Sequence, residues 1–365
     1  MDSSSGVVMR RRSPVVPLVV MALLGLAAVP VFAAPLGGPR ALADRVIAEA
    51  LSEYAASGTI NGVPLTLQQF DANADVCPPQ RERAEAEERA LIAEGRRLFS
   101  SRNDWGQQPS LGPTGDIFGQ RLSCADCHAG PAFSDNRTRL VGPTEYRALV
   151  PRQTPHLLRQ LDPGSFGWDG RFGCIQAAVK AAIQSPLEMR ASREPIQREL
   201  DALAAFVATL DAPDAVAGAD FDPALAERGE ALFNLPRGRD PFGRSFPGER
   251  ISCATCHTAL NNFSDNDFHI VMFPLFLAPE LEPIDPSHQR DGKVLGFNTP
   301  VLRGLRFTAP YFHDGLLGHP SGEAPLRNEP ADLALLQLVT FYSQRFEFGF
   351  TLAEQLAIVE FLKSL

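Results

Sequence analysis

The feature that most constrains this 365-residue chain is a five-residue pattern, Cys-x-x-Cys-His, that occurs twice. It stands at Cys124-Ala-Asp-Cys-His128 and at Cys253-Ala-Thr-Cys-His257. Two thiols at this spacing can each add to one vinyl group of a porphyrin, and the histidine that follows is then placed as a ligand of the iron. A zinc site would need its cysteine pairs close together in sequence, and a redox dithiol would need a βαβ context. We therefore predict two covalent haems of c type, held by Cys124, Cys127, His128, Cys253, Cys256 and His257.

The two motifs belong to a longer repeat. Each is preceded by a glycine-containing segment that ends in Leu-Phe and is followed by Phe-Ser-Asp-Asn, by Thr-Pro-x-Leu and by an Asp-Gly pair. The first copy has these features at 93–99, 133–136, 154–157 and 169–170, and the second has them at 227–233, 263–266, 299–302 and 314–315. The same features in the same order indicate an internal duplication with one haem in each copy.

The apolar pattern of the chain is mostly helical, since residues of one helical face recur at spacings of three and four. An aspartate before a proline, Asp222-Pro223, and the capping box that begins at Thr351 each predict a helix start. We predict helices at 41–57, 81–99 and 196–210, and a loop at 258–300. The predicted fold class is all-α, with two cytochrome-c-like haem domains and long ordered loops.

The first 33 residues predict a secretory signal peptide, with three arginines at 10–12, an apolar stretch and small residues around Ala33. An uncleaved membrane anchor is the alternative. The sequence therefore predicts an exported, periplasmic protein. The predicted organisation is a signal peptide (1–33), an N-terminal extension (34–80), and two haem domains (81–215 and 216–365) that meet near 212–222.

The net charge limits the kinds of partner that the protein can bind, and the two remaining cysteines allow two states. The net charge of −9 argues against nucleic-acid binding. It suits docking of a basic partner, or it simply keeps the protein soluble.

Cys77 and Cys174 stand outside the two motifs. They predict either a disulfide or a pair of buried free thiols.

Four runs of residues together resemble the bacterial di-haem cytochrome c peroxidase superfamily, which includes MauG. They are Leu122-Ser-Cys-x-x-Cys-His128, Phe166-Gly-Trp-Asp-Gly-Arg171, Ser185-Pro-Leu-Glu-Met189 and Thr308-Ala-Pro-Tyr-Phe-His-Asp-Gly315. The resemblance extends in order over roughly residues 90–365. It implies an oxidoreductase that uses hydrogen peroxide as oxidant.

The resemblance also implies a role for individual residues. The haem of His128 would be the peroxidatic one, with Glu188 as the carboxylate that assists cleavage of the O–O bond. Trp168 would carry electrons between the haems, and His257 would hold the second haem. A calcium ion would bind Gln153 and the backbone oxygens of Thr308 and Pro310, and His313 would be structural. The plain alternatives are a helix cap for Glu188, a core residue for Trp168 and an ordinary turn at 308–310.

The second axial ligand of the second haem decides the branch of the superfamily. Typical peroxidases have a methionine there, and the MauG branch has a tyrosine within a Phe-Tyr pair. After an insertion at about 316–330, this chain has Phe341-Tyr342, so we predict Tyr342 as the ligand, with Met272 as the fallback. Because His156 is not at the usual position of a blocking histidine, the first iron is expected to be open and His156 to be an ordinary packed or surface residue.

Several positions depart from the pattern of the superfamily. Ala178 and Ala182 replace a glutamine and a proline of the peroxide pocket, and Gln153 replaces the calcium-binding asparagine. Ile251 replaces the tryptophan through which MauG oxidises its partner protein. The expected function is a periplasmic di-haem peroxidase with a small cytochrome c or cupredoxin as electron donor. The alternatives are a MauG-like enzyme that oxidises a protein substrate and a non-enzymatic di-haem electron carrier.

Overall fold

The computed structural model describes residues 49–50, 52–64, 77, 83–112, 117–141, 150–158, 166–168, 170, 172–211, 221–240, 246, 248–259, 262–265, 267–269, 297–313, 315, 317 and 331–365. The predicted signal peptide, Met272, nearly all of the insertion and most of the predicted domain boundary lie outside these residues. The predicted domain limits therefore stay predictions.

The described chain is mostly helical, which confirms the predicted fold class. The helices are α1 (Glu85–Phe99), α2 (Cys124–Cys127), α3 (Ile175–Gln184), α4 (Gln197–Val207), α5 (Pro223–Asn234), α6 (Ala331–Arg345) and α7 (Leu352–Lys363), with 3-10 turns at Cys253–Thr255 and Leu305–Phe307. Residues 49–50 and 52–57 are also helical. No helix in these ranges has both the length and the apolar character needed to cross a bilayer.

Within the described ranges, four antiparallel strand pairs accompany the helices. They are β1 (Thr59–Ile60) with β2 (Val63–Pro64), β3 (Thr138–Val141) with β4 (Val150–Gln153), β5 (Gly238–Arg239) with β6 (Arg250–Ile251), and β7 (Phe268–His269) with β8 (Phe297–Asn298). The last pair lies within the segment that the sequence predicted to be a loop. Two-residue strands carry too few residues for an alternating pattern to be visible in the sequence.

Local sequence signals predicted two helix starts correctly. The Asp222 carboxylate accepts the backbone N–H of Ala224 (2.9 Å), and proline occupies the first turn of α5. The predicted capping box opens α7, where the Thr351 hydroxyl accepts the N–H of Glu354. These contacts satisfy backbone donors that a helix cannot pair internally.

In the first half of the chain, α1 crosses α4 at very close range. A Cβ placed on Gly95 would lie 1.9 Å from the carbonyl oxygen of Ala202, so only glycine allows this approach. The crossing helps to form a core that contains Leu98, Phe99, Trp105, Ile183 and Leu203.

In the second half, α5 crosses α7 in the same manner. A Cβ on Gly229 would lie 2.0 Å from the carbonyl oxygen of Ala357. The core of this half contains Phe233, Leu335, Phe346, Ile358 and Val359. Each Cys-x-x-Cys-His motif thus has its own glycine-mediated helix crossing and its own core beside it.

A disulfide fastens the start of α3. Cys77 is bonded to Cys174, the N-cap residue of α3, with the two Cα atoms 5.7 Å apart. This observation decides between the two alternatives that the sequence left open. Disulfides persist in oxidising compartments, which agrees with an exported protein.

Candidate haem sites

The first motif forms a short helix, α2, whose start is fixed by its own side chains. The Ser123 backbone N–H donates to the Asp126 carboxylate (2.7 Å), which also accepts from Arg102. The Nδ1 atom of His128 lies 3.0 Å from the carbonyl oxygen of Phe133. Burial lowers the pKa of His128, which favours the neutral imidazole. With Nδ1 engaged by a carbonyl, Nε2 is the nitrogen that is available to iron.

The second motif has the same construction. The Ser252 backbone N–H donates to the hydroxyl of Thr255 (2.9 Å), and Nδ1 of His257 lies 2.8 Å from the carbonyl oxygen of Phe263. Burial again lowers the pKa of the histidine. Both histidines are therefore held in the orientation that a proximal haem ligand requires.

One phenylalanine stands beside each of these histidines and packs in turn against a second phenylalanine. Phe99 lies 6.5 Å from His128 and 5.2 Å from Phe206, between ring centroids. Phe233 lies 6.4 Å from His257 and 5.2 Å from Phe361. The repeat seen in the sequence is therefore a repeat of side-chain packing around the two motifs.

The second motif opens onto a large cavity, with about 1500 Å³ of space that includes its opening to solvent. Cys253, Cys256 and His257 line this cavity, and so does Tyr342. The wall thus carries two thiols for covalent attachment, an oriented imidazole and a phenol. This set of groups fits a haem of c type, which the two cysteines would attach and which His257 and Tyr342 would hold.

Tyr342 is placed in this cavity by α6. Its ring lies 5.6 Å from that of Phe341, 6.0 Å from that of Phe346 and 6.3 Å from that of Phe312, between centroids. Burial raises the pKa of Tyr342, and the nearby thiols of the second motif raise it further. The phenol is therefore neutral in the protein unless a cation such as iron compensates its charge.

Glu188 lies in the turn after α3, in the first half of the chain. Its neighbours Leu187 and Met189 are both fully or almost fully buried, whereas Glu188 is partly exposed. Burial is the main cause that raises the pKa of Cys124 to about 12, and the negative charge of Glu188 contributes to the shift. The carboxylate is therefore close enough to the first motif to act on it electrostatically.

Trp168 and His313, which match each other in the repeat, both bond to the backbone of Gln153. The Trp168 indole N–H donates to the Gln153 carbonyl (2.9 Å), and the Gln153 N–H donates to the His313 carbonyl (2.7 Å). The backbone N–H of Asn298 donates to the carbonyl of Trp168 (3.0 Å). Trp168 also lines the cavity of the second motif. It lies where residues of both halves meet.

The three residues predicted to bind calcium lie together on the lining of the same cavity. However, the Gln153 side-chain N–H donates to the Thr308 carbonyl oxygen (3.1 Å), which a calcium ion would have to use as a ligand. The Oδ1 atom of Asn136 is buried there without a hydrogen-bond partner among the described residues. Calcium binds oxygen ligands, whereas Gln153 presents an N–H donor to the Thr308 carbonyl. Residues 153 and 308 as arranged therefore do not fit calcium.

Sequence reasoning missed two histidines of the second cavity. His156 was expected to be an ordinary packed or surface residue, yet it lines this cavity. Its Nδ1 is buried without a partner in the described ranges, and burial lowers its pKa to about 4. His269 lines the cavity too, with Nε2 2.7 Å from the Asp265 carboxylate. The sequence did contain a signal for His269. It stands four residues after the aspartate of the second Phe-Ser-Asp-Asn, and the first half has Arg139 at the equivalent position.

Comparisons with known proteins agree with the two motifs. The family described as di-haem cytochrome c peroxidase (CCP_MauG) matches residues 118–230. The chain is 27% identical over 252 residues to the methylamine utilization protein MauG of Methylorubrum extorquens, an alignment that covers 62% of this chain and 65% of that protein. It is 26% identical over 224 residues to the cytochrome c551 peroxidase of Pseudomonas aeruginosa, covering 53% and 62% of the two chains.

The chain thus spans slightly less than two thirds of the length of these two relatives. Among solved structures, a MauG-like protein associated with microbial copper homeostasis superposes with a TM-score of 0.50 at 20% identity. That superposition covers 79% of this chain and 91% of the other and supports the fold. The family match, the relatives and the paired motifs agree in one respect: the chain is similar to the di-haem cytochrome c peroxidases and MauG proteins, a family that implies two haem c cofactors.

Proposed function

We propose that the protein is an exported di-haem oxidoreductase that reduces hydrogen peroxide at the first haem site and receives electrons from a protein donor through the second. The observation that carries the proposal is the difference between the two sites. A carboxylate, Glu188, acts on the first motif, whereas a phenol, Tyr342, shares the cavity of the second. An electron carrier has no use for a carboxylate beside an open iron face.

Haem iron with an open axial position supplies the redox chemistry needed to cleave a peroxide bond. The protein has to supply the proton transfer. Glu188 can accept a proton from the bound peroxide at one carboxylate oxygen and return it to the departing oxygen, which is general acid–base catalysis. Its partly exposed position also allows exchange of that proton with solvent.

In this proposal Trp168 connects the two sites. Its indole N–H is anchored to Gln153, and its ring lines the cavity of the second motif. Tyr342 would hold the second haem together with His257, because it lies in the same cavity as His257 and an anionic phenolate there needs a compensating cation. The second site would then pass electrons without binding peroxide.

Ile251 and the net negative charge both favour a small basic protein as the electron donor. Ile251, at the position of the tryptophan through which MauG oxidises its partner, is only 2% exposed and offers no redox-active side chain. The acidic chain suits transient docking of a basic donor, such as a small cytochrome c or a cupredoxin. A MauG-like oxidation of a protein substrate is the second candidate, favoured by Tyr342 and by the likeness to MauG.

Glu188→Gln tests the proposal, with Glu194→Gln as its control. Glu194 is the next carboxylate along the chain, and its side chain is 71% exposed in an ion pair with Lys180. We expect Glu188→Gln to retain both haems and to lose peroxide-dependent oxidation of a reduced donor by about 10²-fold to 10⁴-fold. Glu194→Gln should keep the activity of the parent protein. Equal activity in all three proteins would refute the role of Glu188.

A further inference from the structure

The two halves differ in the partner of one aspartate. Asp135 and Asp265 occupy the same position of Phe-Ser-Asp-Asn, shortly after the histidine of each motif. The preceding serines confirm the equivalence in space, since each hydroxyl donates to the carbonyl of the threonine in Thr-Pro-x-Leu at 2.7 Å. In each half the residue four positions after the aspartate pairs with it.

That partner is arginine in the first half and histidine in the second. Arg139 forms a two-point ion pair with Asp135 through Nη1 (3.0 Å) and Nη2 (2.5 Å), and Nη1 also donates to the Thr154 hydroxyl. In the second half, His269 Nε2 lies 2.7 Å from the Asp265 carboxylate. A guanidinium is always charged, whereas an imidazole is charged only when it is protonated.

Both pairs are buried enough to influence the motif histidines. The exposed fractions of the side chains are 7% for Arg139 and 10% for His269. Burial is the largest influence on the pKa of His128 and His257 and lowers both. Among nearby charges, the aspartate of each pair raises the pKa of the histidine of its own motif, and its partner lowers that pKa whenever the partner is charged, which is always for Arg139 and only on protonation for His269.

The described contacts of His269 are with Phe246, Cys256 and Asp265 and include no lysine or arginine. The Phe246 ring stacks on its imidazole with centroids 5.2 Å apart. The Cys256 sulfur lies within 4.8 Å of the coordinating atoms of His269 and Asp265. The nearby Asp267 carries a negative charge that acts on Cys256. Whenever His269 is neutral, the charge at Asp265 is therefore compensated less completely than the charge at Asp135, whose partner is always charged.

We infer that residues 139 and 269 set the electrostatic difference between the two haem sites, with His269 giving the second site the more negative surroundings. Added negative charge near a haem favours the ferric over the ferrous form, which lowers the reduction potential. Arg139 and His269 are positioning residues on this account, because each acts on the haem through an aspartate. The inference rests on the proposed haem sites but needs no peroxide chemistry.

Reciprocal substitutions test the inference in the haem-loaded protein without peroxide. We expect His269→Arg to raise the reduction potential of the second haem and to leave that of the first unchanged, measured by spectroelectrochemical titration at pH 8. Arg139→His should lower the potential of the first haem only. Asp265→Asn removes the charge itself and should shift the second haem in the same direction as His269→Arg, even if arginine disturbs the fold.

His269→Gln separates charge from packing. Glutamine keeps a hydrogen-bond donor for Asp265 but is neutral, so the potential of the second haem should stay close to that of the parent protein. A shift as large as that of His269→Arg would overturn the inference, and so would unchanged potentials in His269→Arg and Asp265→Asn. Absence of peroxide turnover with the expected shifts would refute only the proposed function.

Discussion

The two halves of the chain hold the histidine of their motif with the same contacts and then surround it with different chemistry. In both, Nδ1 bonds to the carbonyl of a phenylalanine, and a second phenylalanine stands beside the ring. Beyond that frame, the first half presents Glu188 and the second presents Tyr342. The contacts that orient the motif histidine are thus the same in both halves, whereas the groups that would set the reactivity of the iron differ.

The disulfide Cys77–Cys174 is a structural difference between the halves, because it lies entirely in the first. Its cysteines are 97 residues apart, a separation for which loss of the cross-link costs about 4 kcal/mol of unfolding free energy. We expect the Cys77→Ser/Cys174→Ser double variant to lose about 4 kcal/mol of unfolding free energy and therefore to unfold at a lower denaturant concentration. Unfolding of the parent protein under reducing conditions is the matched control, and an unchanged midpoint would contradict the prediction.

The helix crossings should behave alike in both halves. Gly95→Ala and Gly229→Ala each drive a Cβ into a backbone carbonyl that no side-chain rotation can relieve. Overpacking of this kind costs about 3 kcal/mol, more than the roughly 1 kcal/mol that alanine gains over glycine in a helix. Glu230→Ala, on the exposed face of α5, is the control and should be nearly neutral. Chemical denaturation measures all three, and a loss in only one half would break the equivalence.

His156 makes the halves respond differently to acid, because its counterpart in the repeat is Val301. The folded-state pKa of about 4 lies below the ordinary value of 6.5, so the unfolded chain binds the proton more tightly. Stability from the neutral imidazole is therefore present above pH 6.5 and is lost as the pH falls toward 4. We expect about 2 kcal/mol of destabilisation between pH 7 and pH 4.5 that His156→Val abolishes. Equal acid sensitivity of parent and variant would contradict this account.

Of the changes considered, calcium removal should have the smallest effect on the haem spectra and on thermal stability. Since the Gln153 amide already donates to the Thr308 carbonyl, chelation is expected to leave the haem spectra and the thermal midpoint unchanged. Metal analysis of the purified protein should find no stoichiometric calcium. The Gln153→Asn variant, which shortens the side chain and restores the asparagine of the superfamily, is the comparison in which calcium binding should appear. A calcium-dependent midpoint in the parent protein would contradict the prediction.

Much of this arrangement could be predicted from the sequence because it depends on local patterns. The two haem motifs, the repeat and the helix starts at Pro223 and Leu352 each follow from a few neighbouring residues. Tyr342 and His257 were assigned to one site, and the structure places both on the lining of one cavity. Their role as ligands stays a prediction.

What could not be predicted depends on contacts between distant segments. The donation from Gln153 to Thr308 spans 155 residues, and no local pattern records it. The same holds for His156, which reaches the cavity of the second motif although it lies in the first half of the chain. Pairing of Cys77 with Cys174 also had to be seen in the fold, since sequence leaves two free thiols equally possible.

The most direct test of the difference between the sites is electron paramagnetic resonance of the resting ferric protein, with Tyr342→Phe and Tyr311→Phe as paired variants. Tyr311 is also a buried phenol of the second cavity, with its hydroxyl 3.4 Å from the Leu305 carbonyl. We predict one high-spin signal from the open first iron and one low-spin signal from the second. Tyr342→Phe should change only the low-spin signal, and Tyr311→Phe should change neither. Two low-spin signals, both unaffected by Tyr342→Phe, would contradict the account.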